Sequence, residues 1–138
     1  MWEKKTKKLY SGVSKENIWK IWADINNWNL WNGDIEYAKL HDCFETGGTF
    51  ELKPKGAPSV KLTLEEVVEM KSFTDCVHLP GAKMYGKHEM EEKENGDIEL
   101  TTTVTIKGMN SLMWVSMLGE KVAAKMPKQM DDLVGLIK

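Results

Sequence analysis

The sequence predicts an α+β protein in which a short helical corner comes first, an antiparallel sheet follows, and one long helix ends the chain. Apolar residues recur at helical spacing after Ser14 and again after Asn110. Between these two segments, several short stretches alternate apolar and polar residues and are joined by Gly- and Pro-containing turns. Short connections between consecutive strands are typical of antiparallel pairing.

The N-terminal segment, residues 2–10, predicts an edge strand whose lysines discourage pairing with another chain. A helix is expected next, because Ser14 is a favourable N-cap and Glu16 suits the positive end of the helix dipole. Its apolar stripe, at i, i+3, i+4 and i+7, consists of Ile18, Ile21, Trp22 and Ile25. The sequence therefore predicts an amphipathic helix of about three turns.

Four of the six tryptophans crowd into residues 18–33, and asparagines lie before, within and after the second pair. Trp22 lies on the apolar stripe and is expected in the core. Trp28 and Trp31 are three residues apart, so one helical turn would place them on the same side. Two interpretations stay open for this second pair: they close the end of the sheet as packed core, or they line the mouth of a cavity.

The strand region is divided by turn signals at Gly47-Gly48, Pro80-Gly81 and Asn95-Gly96, of which Asn-Gly is a strong hairpin signal. The C-terminal helix is expected from about Ser111, and Pro127 predicts a kink or a restart near Met126. Methionines recur every four residues along its beginning, beside Trp114, which suits either an adaptable ligand-binding surface or ordinary core packing. These methionines are Met109, Met113 and Met117.

Composition limits the possible functions. The chain of 138 residues is 41% hydrophobic and 29% charged, which predicts one globular domain over residues 1–138. All nineteen basic residues are lysine and the net charge is −2, so a nucleic-acid-binding role is not expected. The first ten residues are charged, no apolar run is long enough to span a membrane, and a cytoplasmic location is expected. Cys43 and Cys76 are expected to be reduced in that location. The sequence does not indicate an oligomeric state.

The order of elements resembles the superfamily of START domains, birch-pollen-allergen-like proteins and polyketide cyclase/dehydratase-like proteins. The resemblance lies in "SKENIWKIWADINNWNLWNGDI", in the glycine pair Gly47-Gly48, in "HEM" at 88–90, and in "LGEKVAAKMPKQMDDLVGLI". It implies a helix-grip fold: a curved antiparallel sheet of about six to seven strands wrapped around a long C-terminal helix, with two short helices after the first strand. It also implies an apolar cavity between the sheet and that helix.

Strand parity predicts which side chains would line such a cavity. Alternation places Leu62, Leu64 and Glu66 on one face of a strand, His88 and Met90 on one face of another, and Leu100 and Thr102 on a third. Tyr37 could also point inwards, although a bulge there would turn it away. The ligand-binding candidates are therefore Tyr37, Leu62, Leu64, Glu66, His88, Met90, Leu100, Thr102, Met113, Trp114 and Met117.

Two functions from different classes follow. The first is a carrier or sensor that binds a hydrophobic small molecule or lipid without covalent chemistry. The second is a polyketide cyclase/dehydratase-like enzyme that uses His88 as an acid–base group, with Glu66 or Tyr37. A partner-binding domain using the same groove remains a third possibility. Catalysis needs at least two titratable groups within reach of each other, and the sequence offers one convincing inward candidate, so binding is favoured. The histidine spacing predicts no metal site, and no cofactor is expected.

Overall fold

The computed structural model describes residues 1–137, which form seven strands and a small number of helical segments. The strands are β1 (Trp2–Tyr10), β2 (Ile35–Leu40), β3 (Thr49–Pro54), β4 (Val60–Val68), β5 (Ser72–Leu79), β6 (Ala82–Glu92) and β7 (Ile98–Lys107). Helix α1 (Lys15–Ala23) is followed by a 3-10 helix (Ile25–Leu30). The C-terminal segment consists of α2 (Ser111–Trp114), a π-helical turn (Val115–Gly119) and α3 (Glu120–Ile137).

The strands form one sheet in the order β1-β7-β6-β5-β4-β3-β2, and every neighbouring pair is antiparallel. Strands β2 to β7 follow one another as hairpins. Strand β1 pairs with β7, so β1 and β2 form the two opposite edges of the sheet. Helix α3 contacts β1, β7 and α1. The predicted α+β architecture, with a curved antiparallel sheet, two short helices after β1 and a long C-terminal helix, is confirmed.

The helical corner forms as the sequence predicts. The Ser14 hydroxyl accepts a hydrogen bond of 3.0 Å from the Asn17 backbone N–H, which caps α1. Trp22 is buried on the stripe of α1, and its carbonyl accepts a hydrogen bond of 3.2 Å from the indole N–H of Trp28. Trp28 is buried as well, whereas Trp31 is half-buried beside it. The core interpretation therefore fits Trp22 and Trp28.

The C-terminal helix differs from the expectation at Pro127. Helix α3 continues through this proline, so the predicted restart near Met126 is wrong. The buried stripe of α3 runs across the proline without a gap, and tertiary packing of that stripe outweighs the local cost of the missing hydrogen bond. This stripe consists of Met126, Met130, Leu133 and Val134. The irregularity lies earlier, in the π-helical turn that ends at Gly119.

Gly119 shows how the edge strand is held against this turn. A Cβ atom at position 119 would lie 2.9 Å from the indole ring of Trp2 and 2.8 Å from the end of Ile106. The absence of a side chain therefore lets the π-helical turn approach β1 and β7 closely. Within residues 1–137, every helix is too short or too polar to cross a membrane.

The substitution Trp22→Ala is expected to lower the free energy of unfolding by about 3–5 kcal/mol, because it truncates an aromatic side chain that is only 4% exposed. Chemical denaturation measures this loss. Leu30→Ala, in the adjoining 3-10 helix, is the matched control, since Leu30 is 66% exposed and should change stability by less than about 0.5 kcal/mol. A Trp22→Ala loss as small as that of the control would show that Trp22 does not support the core.

Candidate functional site

The inner face of the sheet is apolar over most of its area. Four of the residues predicted to lie there are buried: Leu62, Leu64, Met90 and Leu100. They belong to a core cluster that also contains Phe73 of β5 and Met130 of α3. Alternation along β4, β6 and β7 places these side chains on the face that α1 and α3 cover.

A polar band interrupts this apolar face on the central strands. Its members are Asp75 of β5, His88 of β6 and Thr102 of β7, and Gly86 lies between them on β6. The register pairs Asp75 with Gly86 and pairs His88 with both Phe73 and Thr102. These polar groups are therefore neighbours on one patch of the inner face, and none of the three residues is fully buried.

The central contact of the band joins His88 and Asp75. The His88 Nε2 atom lies 3.9 Å from Oδ2 of Asp75, which is too long for a direct hydrogen bond. The imidazole stacks on the Phe73 ring at 4.5 Å with an interplanar angle of 14°, and Trp22 approaches it at 6.2 Å. The side chain of His88 is 25% exposed and that of Asp75 is 15% exposed. Both groups thus keep some accessible surface, while the aromatic rings of Phe73 and Trp22 lie against the imidazole.

The surroundings of the pair favour the neutral form of each group. Burial raises the pKa of Asp75 to about 7, an effect that the backbone N–H of Gly86 opposes in part. Burial also lowers the pKa of His88 to about 4. Near neutral pH the imidazole is therefore uncharged, and the carboxyl group is close to its midpoint of ionisation. A group that titrates near the working pH is suited to exchange a proton or to bind a charged ligand.

Sequence reasoning missed Asp75. The signal was present, because Asp75 lies midway between Phe73 and Val77 in β5, and both of these residues are buried in the core cluster. Spacing of two in a strand places all three on one face. The structure thus supplies the second titratable group beside His88 that the sequence analysis did not find.

The inward orientation predicted for Glu66 is wrong. The register of β4 against β5 shifts between Leu64 and Glu66, so that Glu66 pairs with Thr74 and Val67 pairs with Phe73. This irregularity inserts one residue and reverses the alternation, as a β-bulge does. Glu66 is exposed, whereas Val67 packs against the core.

Tyr37 is also turned away from the core. A register shift between Ile35 and Tyr37 leaves Ile35 and Ala38 buried and Tyr37 exposed. The Tyr37 hydroxyl donates a hydrogen bond to Glu51 on the neighbouring strand. The sequence analysis named this bulge as the alternative, and the structure adopts it.

The three candidates from the C-terminal helix lie in different surroundings. Met113 and Met117 are exposed, Met117 by 56% of its surface. The prediction that they line the cavity is therefore wrong, because the start of the helix presents these side chains to solvent. Trp114 is half-buried, and its indole N–H donates a hydrogen bond of 2.9 Å to the carbonyl of Pro80 in the β5–β6 turn. Trp114 therefore attaches the start of the helix to one end of the sheet.

The outer face of the sheet carries a depression. It has a volume of about 350 Å³ and is open to solvent, and its lining is polar and charged. The lining includes Lys5, Tyr85, Lys87, Thr103 and Lys107. Alternate side chains of a strand point to opposite faces of the sheet. The depression and the band around His88 therefore lie on opposite sides of the sheet. Within residues 1–137, no three His, Cys, Asp or Glu side chains are grouped closely enough to hold a metal ion.

The sequence matches no protein-family model and no curated protein. Solved structures are nevertheless similar over almost the whole chain. A START superfamily protein from Mycobacterium smegmatis is 13% identical with a TM-score of 0.71, over 98% of this chain and 96% of that one. Major latex-like protein 151 from Panax ginseng is 10% identical with a TM-score of 0.78, over 99% of this chain and 97% of that one.

An enzyme is also among the similar structures. Truncated norcoclaurine synthase from Thalictrum flavum is 8% identical with a TM-score of 0.77, over 99% of this chain and 92% of that one. At such identities the likeness establishes the fold alone. The chain has the helix-grip fold of START and birch-pollen-allergen-like proteins, and the resemblance drawn from its sequence is confirmed at that level.

The substitution Asp75→Asn is expected to stabilise the protein in alkaline solution. Because burial raises the carboxyl pKa from 3.8 to about 7, the contribution of Asp75 to stability is complete below the unfolded pKa and is lost as the pH rises through about 7. Asparagine does not ionise, so the variant should exceed the wild type by about 2–4 kcal/mol above about pH 8 and by little near pH 4.

Denaturation of both proteins at the two pH values measures this difference. The matched control is Asp42→Asn, which changes an exposed carboxylate and should shift stability little at either pH. If the Asp75→Asn difference were the same at both pH values, the carboxyl group would not be desolvated in the folded protein.

Proposed function

We propose that the protein is a cytoplasmic carrier or sensor that binds a hydrophobic small molecule or lipid between the inner face of the sheet and helix α3. The observation that carries this proposal is the accessible band around His88. It lies on a face where Leu64, Met90 and Leu100 are buried, and yet Asp75 and His88 keep accessible surface there. A few accessible polar groups among apolar and aromatic side chains are typical of small-molecule sites.

The proposed site has apolar walls and one polar region. Leu100 and Met90 flank the band on β7 and β6. Phe73 of β5 stacks on His88, and Trp22 approaches it from α1. A ligand in contact with these walls would gain affinity from buried apolar surface. Hydrogen bonds to the polar band would then fix its orientation.

Acid–base catalysis is a second candidate function, and the 3.9 Å contact of Asp75 with His88 favours it. His88 is the acid–base group that the sequence predicts. The surroundings favour Asp75 instead, because its pKa of about 7 lies nearer to neutral pH than the pKa of about 4 of His88. Native mass spectrometry of the purified protein would identify a co-purifying ligand. Incubating that ligand with the protein in heavy water would reveal catalysed exchange of carbon-bound hydrogen, which a carrier does not cause.

A neutral apolar fluorophore is expected to bind in the micromolar range, which corresponds to roughly −8 kcal/mol. Thr102→Phe should weaken its binding at least about tenfold, because a phenyl ring on the inner face of β7 would occupy the space beside His88. Fluorescence titration measures the affinity, and circular dichroism verifies the fold of the variant.

Thr105→Phe is the matched control on the same strand, since Thr105 lines the depression on the outer face. It should leave the affinity unchanged. Equal losses in both variants, or no binding to the wild type, would contradict the location of the site.

A further inference from the structure

We propose that Asp75 and His88 form the binding site for the protonated amine at one end of an otherwise apolar ligand. This inference rests on the proposed function and specifies which ligands the site selects. Three observations support it: the distance between Asp75 and His88, the glycine opposite Asp75, and the lack of a lysine beside Asp75 among the described residues.

The distance between the two side chains suits a bridging donor. Oδ2 of Asp75 and Nε2 of His88 are 3.9 Å apart, and one nitrogen atom can lie at about 2.9 Å from each of them. A protonated amine has several N–H donors, of which one can point to the carboxylate and another to the neutral imidazole. Trp22, whose ring centroid lies 6.2 Å from that of the imidazole, adds aromatic surface near this position, which favours a cation further.

The carboxyl group of Asp75 fits against β6 because residue 86 is a glycine. This glycine is in the middle of β6, opposite Asp75, and a Cβ atom at position 86 would lie 2.9 Å from Oδ1 of Asp75. Glycine weakens the interior of a strand, and it often marks a site where another group approaches closely. The missing side chain at position 86 therefore lets the carboxyl group of Asp75 lie directly against β6.

The described residues provide no cation that could neutralise Asp75 other than His88 itself. Opposite Asp75, β4 presents Leu64 and β6 presents Gly86. The charged groups of β6 beside it, Lys87 and Glu89, line the depression on the outer face. Those of β4, α1 and α3 are exposed to solvent: Glu65, Glu66, Lys20, Lys121 and Lys125. Asp132 of α3 pairs with Lys128 on the same helix. A buried carboxylate without a counter-ion is unfavourable, and a ligand amine would supply the missing charge.

The pH dependence follows from competition between the amine and a proton for the carboxylate. The pKa of the empty carboxyl group is about 7, whereas an alkylamine stays protonated to about pH 10. His88, with a pKa of about 4, stays uncharged above pH 5 and does not repel the amine. Amine affinity should therefore rise about thirtyfold between about pH 5.5 and about pH 8.5, as the ionised fraction of Asp75 increases.

The experiment compares naphthylethylamine with naphthylethanol, which share one skeleton and differ in the charged end. Each displaces the neutral fluorophore from the full chain, and calorimetry confirms the affinities. At about pH 8.5 the amine should bind at least about tenfold more tightly than the alcohol, and the alcohol should show little pH dependence. In Asp75→Asn the amine should lose its advantage over the alcohol, because asparagine carries no charge. Asp42→Asn should retain the wild-type preference.

The outcomes separate this inference from the proposed function. If the alcohol binds and the amine is never preferred, or if Asp75→Asn retains the preference, the amine site is refuted and the apolar binding site stands. If neither probe nor the fluorophore binds, the proposed function fails. The asparagine variant is expected to fold, because it removes an ionisable group from an apolar environment. Gly86→Ala provides a second test, since its methyl group should displace the carboxyl group and weaken amine binding while Asp75 keeps its charge.

Discussion

Packing of aromatic rings around Phe73 is the interaction on which both the helical corner and the candidate site depend. Trp22 and Phe44 meet this ring edge-on, each with centroids 5.3 Å away, and Trp28 lies at 5.9 Å. His88 stacks on the ring at 4.5 Å. Aromatic pairs in such geometries gain stability beyond the area that they bury. One phenylalanine of β5 therefore fixes where α1 packs and how the imidazole of β6 is oriented.

This packing determines the chemistry of the polar band. With one face of the imidazole against Phe73, its Nε2 edge is directed to Asp75 at 3.9 Å. The same rings exclude water, which shifts the pKa of the carboxyl group upward and that of the imidazole downward. The titration properties of the pair thus follow from the aromatic core and need no additional charged neighbour.

The sequence sufficed for the order of elements, because helix and strand periodicity and the Ser14 cap are local signals. Orientation within strands was less predictable. A bulge adds one residue and leaves no mark in composition, so parity gave the wrong face for Glu66 and left two orientations open for Tyr37. At Pro127 the local signal was misleading. The proline predicts an interruption, but α3 continues past it because its buried stripe packs against the rest of the protein. Asp75 could have been found, because it lies at spacing two from the buried Phe73 and Val77.

The combination of Asp75 and Gly86 is difficult to explain by folding alone. A desolvated carboxyl group destabilises the protein as it ionises, and a glycine weakens the strand that lies opposite it. Two unfavourable residues face each other on the inner face, next to a histidine that is kept neutral. An apolar pair at these positions would pack better and would remove both costs. A ligand that binds only the folded state offsets them by mass action, which is why we assign the pair to recognition rather than to the stability of the sheet.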